Sequence, residues 1–265
     1  MDLVDQLSPA LSYLNLCFQG EPFIHPLLPE MAEYAKSKKI YVSTSTNGHF
    51  INDENVKSIV SSGLDKLIIS LDGADAESYG QYRIGGNFDT VITGIRKIVN
   101  EKTKQGTKKP KIVLQSLILK SNQHQFNQIR QLGKDLGVDK VELKTAQFYD
   151  FKDGNPLMPD DLKFSRYKRI SDTPGKPARY KIKNPLPDHC FRMWSSSVIT
   201  WDGSIVPCCF DKDATFNMGK VNGRSFKKVW KDKSYYDFRK KILYSRKSID
   251  ICTNCTEGTG VTCFL

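Results

Sequence analysis

The feature that most limits what this chain can fold into is an alternation, over residues 1–145, of short apolar strands with longer helical patterns. Apolar, β-branched runs occur at Leu11–Phe18, Ile40–Ser45, Lys66–Leu71, Ile112–Leu119 and Val141–Thr145. Helical periodicity fills the intervals: a helix tail at Asp2–Leu7, then Leu27–Lys38 opened by Pro26 and Pro29, Asp53–Ser61 ended by Gly63, Ala76–Tyr82, Phe88–Glu101, and Gln123–Leu136 stopped by Gly137. Strands separated by helices pair in parallel through right-handed crossovers, so the expected fold is α/β, an open sheet or partial barrel. With 265 residues, 39% of them hydrophobic, the chain can bury a full core as one large domain with an appendage.

In such folds ligands sit beyond the carboxyl ends of the strands. Polar turns fall there: Gln19-Gly20-Glu21-Pro22 after the first strand, Ser45-Thr46-Asn47-Gly48 after the second, and Ser70-Leu71-Asp72-Gly73 after the third. Each is an ordinary turn composition, but three at equivalent positions point to a common site. Glu21 offers a carboxylate suited to an ammonium group. Arg83, in Tyr82-Arg83-Ile84-Gly85-Gly86, offers a fork suited to a carboxylate. Together these would hold an amino-acid moiety; the competing reading pairs Arg83 with Asp72 or Asp89. His25, His49 and His124 need no function at their loop positions, and Cys17 reads as a buried strand cysteine.

The C-terminal third is organised by His189–Asp211. Ser197–Thr200 and Ser204–Pro207 flank Trp201-Asp202-Gly203, and Asp-Gly supplies the positive φ angle of a tight hairpin. Closing that hairpin brings Cys190 near Cys208 and Cys209, of which only one should face a shared site because neighbours on a strand point to opposite faces. Cys252-Thr253-Asn254-Cys255 adds a C-x2-C pair. Buried or disulfide-bonded cysteines, structural zinc and an iron–sulfur cluster all fit this spacing. The start lacks the basic and apolar parts of a signal peptide and no apolar run approaches 18 residues, which suggests a cytoplasmic protein with reduced thiols and no membrane partner. Charge is uneven, with 18 basic against 17 acidic residues in 1–150 and 22 against 12 in 151–265. A nucleic-acid surface would use such asymmetry, but lysines such as Lys227, Lys228, Lys231 and Lys233 read as a solvated helix face.

Taken together, Gly20-Glu21-Pro22, Ser45–Gly48, Ser70–Gly73 and Tyr82–Gly86, in this order, resemble the core of radical S-adenosylmethionine (SAM) enzymes. Cys190, Gly203-x4-Cys208, Gly219, Ser225-Phe226, Val229-Trp230, Phe238-Arg239 and Cys252-x2-Cys255 resemble their SPASM/twitch extension. The resemblance implies a partial (β/α)6 barrel over residues 1–150, a linker over 151–188 crossing the barrel mouth, and a cysteine-rich auxiliary domain over 189–265. It implies that Gly20, Glu21 and Pro22 contact the SAM amino group, that Ser70 and Arg83 contact its carboxylate, and that Ser45 and Asn47 line the same pocket. Cys190, Cys208, Cys252 and Cys255 would hold one auxiliary 4Fe-4S cluster, with Cys209 and Cys263 as substitutes. The implied activity is hydrogen abstraction from a peptide, protein or other substrate. The defining C-x3-C-x2-C motif of the family is absent from these 265 residues. The expectation is therefore an N-terminally shortened form that lacks the first barrel strand and exposes a sheet edge open to pairing. A non-catalytic iron–sulfur or zinc module is the alternative.

Overall fold

The computed structural model describes residues 2–171, 178–221, 225–256 and 263–264. Five parallel strands form the main sheet: β1 (Tyr13–Asn15), β2 (Tyr41–Thr46), β3 (Lys66–Ser70), β4 (Lys111–Ile118) and β5 (Lys140–Thr145). They lie in sequence order, and each pairs with the next. A short strand at Cys263–Phe264 adds antiparallel beyond β5, with Cys263 opposite Lys144. This is the expected α/β architecture with β1 at an edge.

Helices α1 (Asp2–Leu7), α2 (Leu28–Ser37), α3 (Val56–Ser61), α4 (Ala76–Tyr82), α5 (Phe88–Lys104) and α6 (Phe126–Asp135) occupy the intervals. Val91, Ile95 and Ile98 of α5 are wholly buried against Leu67, Ile69, Ile112 and Leu114 of the sheet, in one continuous core. Side chains fix the helix starts: Asp75 accepts from Ser78 N ahead of α4, and Asn87 from Thr90 N ahead of α5. Two helices begin later than their periodicity predicts, because side chains of the preceding residues build turns instead. Asn52 Oδ1 takes the amides of Glu54 and Asn55, and Asn122 Oδ1 takes that of Leu119. Strand β1 is shorter than Leu11–Phe18 for a related reason. It is paired on one side only, and the Asn15 side chain, rather than a neighbouring strand, donates to the Cys17 carbonyl.

Gly48 closes β2 with φ +84°, and a Cβ there would stand 2.8 Å from Val91 Cγ1 and 3.2 Å from Ile69 Cγ2. Both the backbone region and the space demand glycine, so Gly48→Ala is expected to cost about 1–3 kcal/mol in urea unfolding.

Residues 151–188, expected as an extended linker, are folded where described. Strands β6 (Tyr167–Ser171) and β7 (Arg179–Ile182) pair antiparallel. Tyr167 and Ile182 join Leu119, Phe148, Phe151, Met158 and Leu186 in a second core at the carboxyl end of β4 and β5. The prolines and glycines at the ends of this segment punctuate a packed hairpin; Pro174, Gly175 and Pro177 lie outside the described residues.

The C-terminal region carries α7 (Arg192–Ser195), the hairpin β8 (Val198–Ile199) and β9 (Ser204–Val206), a third strand β10 (Gly219–Lys220) beside β9, then α8 (Phe226–Trp230) and α9 (Lys233–Ser245). At the hairpin tip Gly203 has φ +78°. There Asp202 accepts from Thr200 Oγ1, Ser204 Oγ and Lys220 Nζ, which holds its carboxyl below the usual range. Met193, Ile205, Val229, Tyr235, Phe238 and Ile242 form a third core. Among the described residues no helix is long and apolar enough to cross a membrane.

Candidate functional site

At the mouth of the sheet, Glu21 is fixed from two sides. Its Oε1 accepts from Phe23 N at 3.1 Å and from Thr46 Oγ1 at 2.6 Å, and its Oε2 accepts from Asn47 N at 2.7 Å. An ionised carboxylate offers about four acceptor positions, so these three bonds aim the group and leave capacity on Oε2. Gly20 precedes it at φ +78°, and Pro22 follows it into a 3-10 turn. Asn47 passes the network on: its Oδ1 accepts from His49 N at 2.9 Å, and His49 Nε2 accepts from Asn87 N at 2.8 Å. This gives His49 a structural task that its loop position did not announce. Ser45 stands beside Cys17, whose thiol is pushed up by burial against the pull of Ser45. Ser70 ends β3 half-buried, beside Gln115 of β4.

Arg83 caps the end of α4, and its Nε donates to Asp72 Oδ2 at 2.6 Å. Asp72 is 1% exposed, and its Oδ1 accepts from Leu117 N at 2.6 Å. Burial pushes the Asp72 carboxyl up, against the pull of Arg83 and the Leu117 amide. The pairing read as a competitor to ligand binding is therefore present, with Asp72 and not Asp89, and it uses only Nε. The two terminal nitrogens of the fork, on a side chain 30% exposed, are not engaged by it.

The cysteines form the second place of interest. Cys190, Cys208, Cys252 and Cys255 line one small apolar cavity, with Met193, Phe238 and Ile242 among its walls. Cys190 stands two residues before α7, Cys208 two residues after β9, and Cys252 and Cys255 in the turns that follow α9. Cys209 points away, exposed, and receives a contact from Arg192 Nη1 at 3.7 Å. The side chain of Cys263 lies outside the described residues. Burial, with the neighbouring thiols, pushes Cys208 up to about 12 and Cys252 up to about 11. These thiols stay protonated until a metal displaces the proton.

Arg246 also faces the cavity. It is 1% exposed; its Nη2 lies 3.4 Å from Cys255 Sγ, and its Nη1 donates to the His189 carbonyl at 2.8 Å. A guanidinium held against buried sulfurs suits a site whose sulfurs become thiolates around a net negative cluster. No three His, Cys, Asp or Glu side chains among the described residues converge closely enough to hold a lone metal ion. The donor set and the buried cation both fit an iron–sulfur group here.

A further contact ties the cysteine turn to the second core. Asn254, inside the C-x2-C turn, donates to the Phe148 carbonyl at 2.7 Å, and the Tyr167 hydroxyl bonds both Asn254 Oδ1 and the Phe148 backbone. Neither Arg246, in an ordinary basic stretch, nor Asn254 carries a pattern that would have distinguished it in the sequence.

Three kinds of comparison bear on this geometry. The radical SAM superfamily model matches residues 4–130, and SPASM, described as an iron–sulfur cluster-binding domain, matches residues 190–256. Over 94% of its length the chain is 27% identical to the tungsten-containing aldehyde ferredoxin oxidoreductase cofactor-modifying protein of Pyrococcus furiosus, covering 74% of it. Over 96% of its length it is 25% identical to Fe-coproporphyrin III synthase of Methanosarcina barkeri, covering 71% of that protein. Among solved structures, Streptococcus suis SuiB bound to S-adenosylmethionine matches with a TM-score of 0.61 at 14% identity, over 96% of this chain and 63% of that one. Native anSMEcpe with bound AdoMet and Kp18Cys peptide matches with a TM-score of 0.60 at 16% identity, over 95% and 79%. At these identities the structural likeness is one of fold.

Proposed function

Since this chain belongs to the radical SAM superfamily and carries a SPASM iron–sulfur domain, we propose that it performs the binding functions of an enzyme of radical hydrogen abstraction: it binds SAM, and Cys190, Cys208, Cys252 and Cys255 hold one auxiliary 4Fe-4S cluster. The loops after β1, β2 and β3 would bind the methionine moiety of SAM. The observation that carries the reading is the convergence of these four cysteines and the buried cation of Arg246 on one apolar cavity. A peptide substrate has support from the peptide bound in one structure of like fold. A cofactor or porphyrin substrate has support from the names of the two relatives.

When bound, an auxiliary cluster of this kind supplies an electron acceptor or an iron that positions substrate. The chain's own residues bind and orient. Glu21 Oε2 keeps one acceptor position for the SAM ammonium, aimed by Thr46 and the Asn47 amide. Arg83 turns its terminal nitrogens to the SAM carboxylate while Asp72 fixes the guanidinium plane through Nε. Ser70, one strand away from Gln115, adds a hydroxyl to the same carboxylate. Ser45 and Asn47 close the pocket on the β2 side, and Gly20 and Pro22 set the backbone that presents Glu21. The three closely spaced thiolates of the superfamily's SAM-cleaving cluster are not among these residues, since the sequence contains no C-x3-C-x2-C.

Anaerobic calorimetry tests the pocket. The full chain should bind SAM, and Arg83→Ala should weaken binding at least tenfold, about 1.4 kcal/mol or more. Equal affinity in the two proteins would remove the support for this assignment.

A further inference from the structure

The five parallel strands alternate. Val42, Thr44, Leu67, Ile69, Ile112 and Leu114 are buried beneath the helices, so the intervening residues point to the other face of the sheet. Register carries that face across the strands. Ser70 lies beside Gln115 and Gln115 beside Glu142; nearer the amino ends, Val113 lies beside Lys140, and Lys66 beside Lys111. Glu142 is the one acidic side chain that β1 to β5 contribute to this face.

Three cations act on it. Lys140 Nζ is 3.1 Å and Lys144 Nζ 3.7 Å from its carboxylate. Against the upward push of burial, Lys140, Lys144 and the field of Lys66 hold the Glu142 carboxyl below its usual range. Lys111 adds a fourth cation, directly beside Lys66 in the register. Like charges side by side on neighbouring strands lower stability. Most of this cluster is half-buried, where solvent screens less than at an open surface. Three ammonium groups acting on one carboxylate, with Lys111 next to Lys66 in the register, leave an excess of positive charge on the same face as Ser70; the Lys66 ammonium also lies 5.9 Å from the Tyr13 ring centroid.

We propose that this face is the anion-recognition subsite of the substrate pocket. It would hold a carboxylate or phosphate of an acidic, polar substrate by Lys66, Lys140 and Lys144, with Glu142 keeping the ammonium groups in place and Gln115 adding a hydrogen bond. The proposal rests on the preceding reading, because Ser70, in line with Gln115, is assigned there to the SAM pocket.

The test is calorimetry of the full chain with pyrophosphate and with citrate as probes, at constant ionic strength. One or both should bind; pyrophosphate alone points to a phosphate and citrate alone to a carboxylate. Lys140→Gln combined with Lys144→Gln should weaken binding at least tenfold. Lys144→Arg, and a pair of exposed α8 substitutions, Lys227→Gln with Lys228→Gln, should leave it within twofold. Failure of both probes to bind, or an equal loss in the α8 pair, overturns the subsite. SAM titrated into the same proteins separates the two readings. SAM affinity kept in the Lys140/Lys144 variant while the anion is lost supports a substrate subsite, and loss of both overturns it. Wild-type protein that takes the anion but not SAM overturns the pocket assignment and leaves the subsite standing.

Discussion

Anaerobic reconstitution should load the wild-type chain with about four iron and four sulfide and give broad visible absorption, and Cys252→Ala should remove nearly all of it. Cys252 is 8% exposed and Cys255 is 5% exposed. Both line the cavity with Cys190 and Cys208, so no solvent ligand can easily replace a lost thiolate. The substitution also leaves three thiols and a buried guanidinium around an emptied corner, which costs packing as well as metal. Cys209→Ala supplies the contrast: that side chain is exposed and outside the cavity, and its removal should leave iron content unchanged. Full iron in Cys252→Ala would overturn the ligand set. Zinc alone, with no visible absorption in wild type, would turn the site into a structural zinc module.

Asp72→Ala should be the most damaging substitution in the barrel half. The carboxylate joins the Arg83 guanidinium, at the end of α4, to the Leu117 amide in β4, both at 2.6 Å. Its removal strands a cation and leaves a backbone N–H near the interior without a partner. Breaking a buried pair in this way costs roughly 3–5 kcal/mol. Because the Arg83 side chain is 30% exposed and partly rehydrates, the lower end of about 3 kcal/mol is expected. Asp72→Asn, which keeps an acceptor for Leu117, should recover about half of that. Urea unfolding reads the difference; a loss below about 1 kcal/mol for Asp72→Ala would mean that the pair is not needed for stability.

The parallel α/β half was legible because its signals are local. Apolar runs of strand length, Gly63 and Gly137 after helices, and polar turns at strand ends are written residue by residue, and α1 and α4 fall where their periodicity places them. Error entered where side chains outbid the helix for backbone groups, as Asn52 and Asn122 do. The hairpin was legible for the same reason, since a turn dipeptide suffices; Cys208 and Cys209 do part, but in the bend and turn beyond β9 and not by strand alternation. The fold of residues 151–188 was not, because Tyr167, Phe151 and Met158 become a core only by packing on Leu119 and Phe148, which lie on other strands and loops. The pairing of β10 with β9 and the role of Arg246 depend likewise on residues distant in sequence.

The bond from Asn254 to the Phe148 carbonyl bears on modularity. The turn that carries Cys252 and Cys255 is anchored beyond β5 of the main sheet by the residue between them, and Arg246 reaches back to the Pro187 and His189 carbonyls. Cys255 O in turn takes the Asn184 amide. A cut at residue 190 would sever most of these attachments while sparing every cysteine of the set. The cysteine region is thus not a cassette that can be transplanted with its sequence boundaries; its foundations lie in the segment before it.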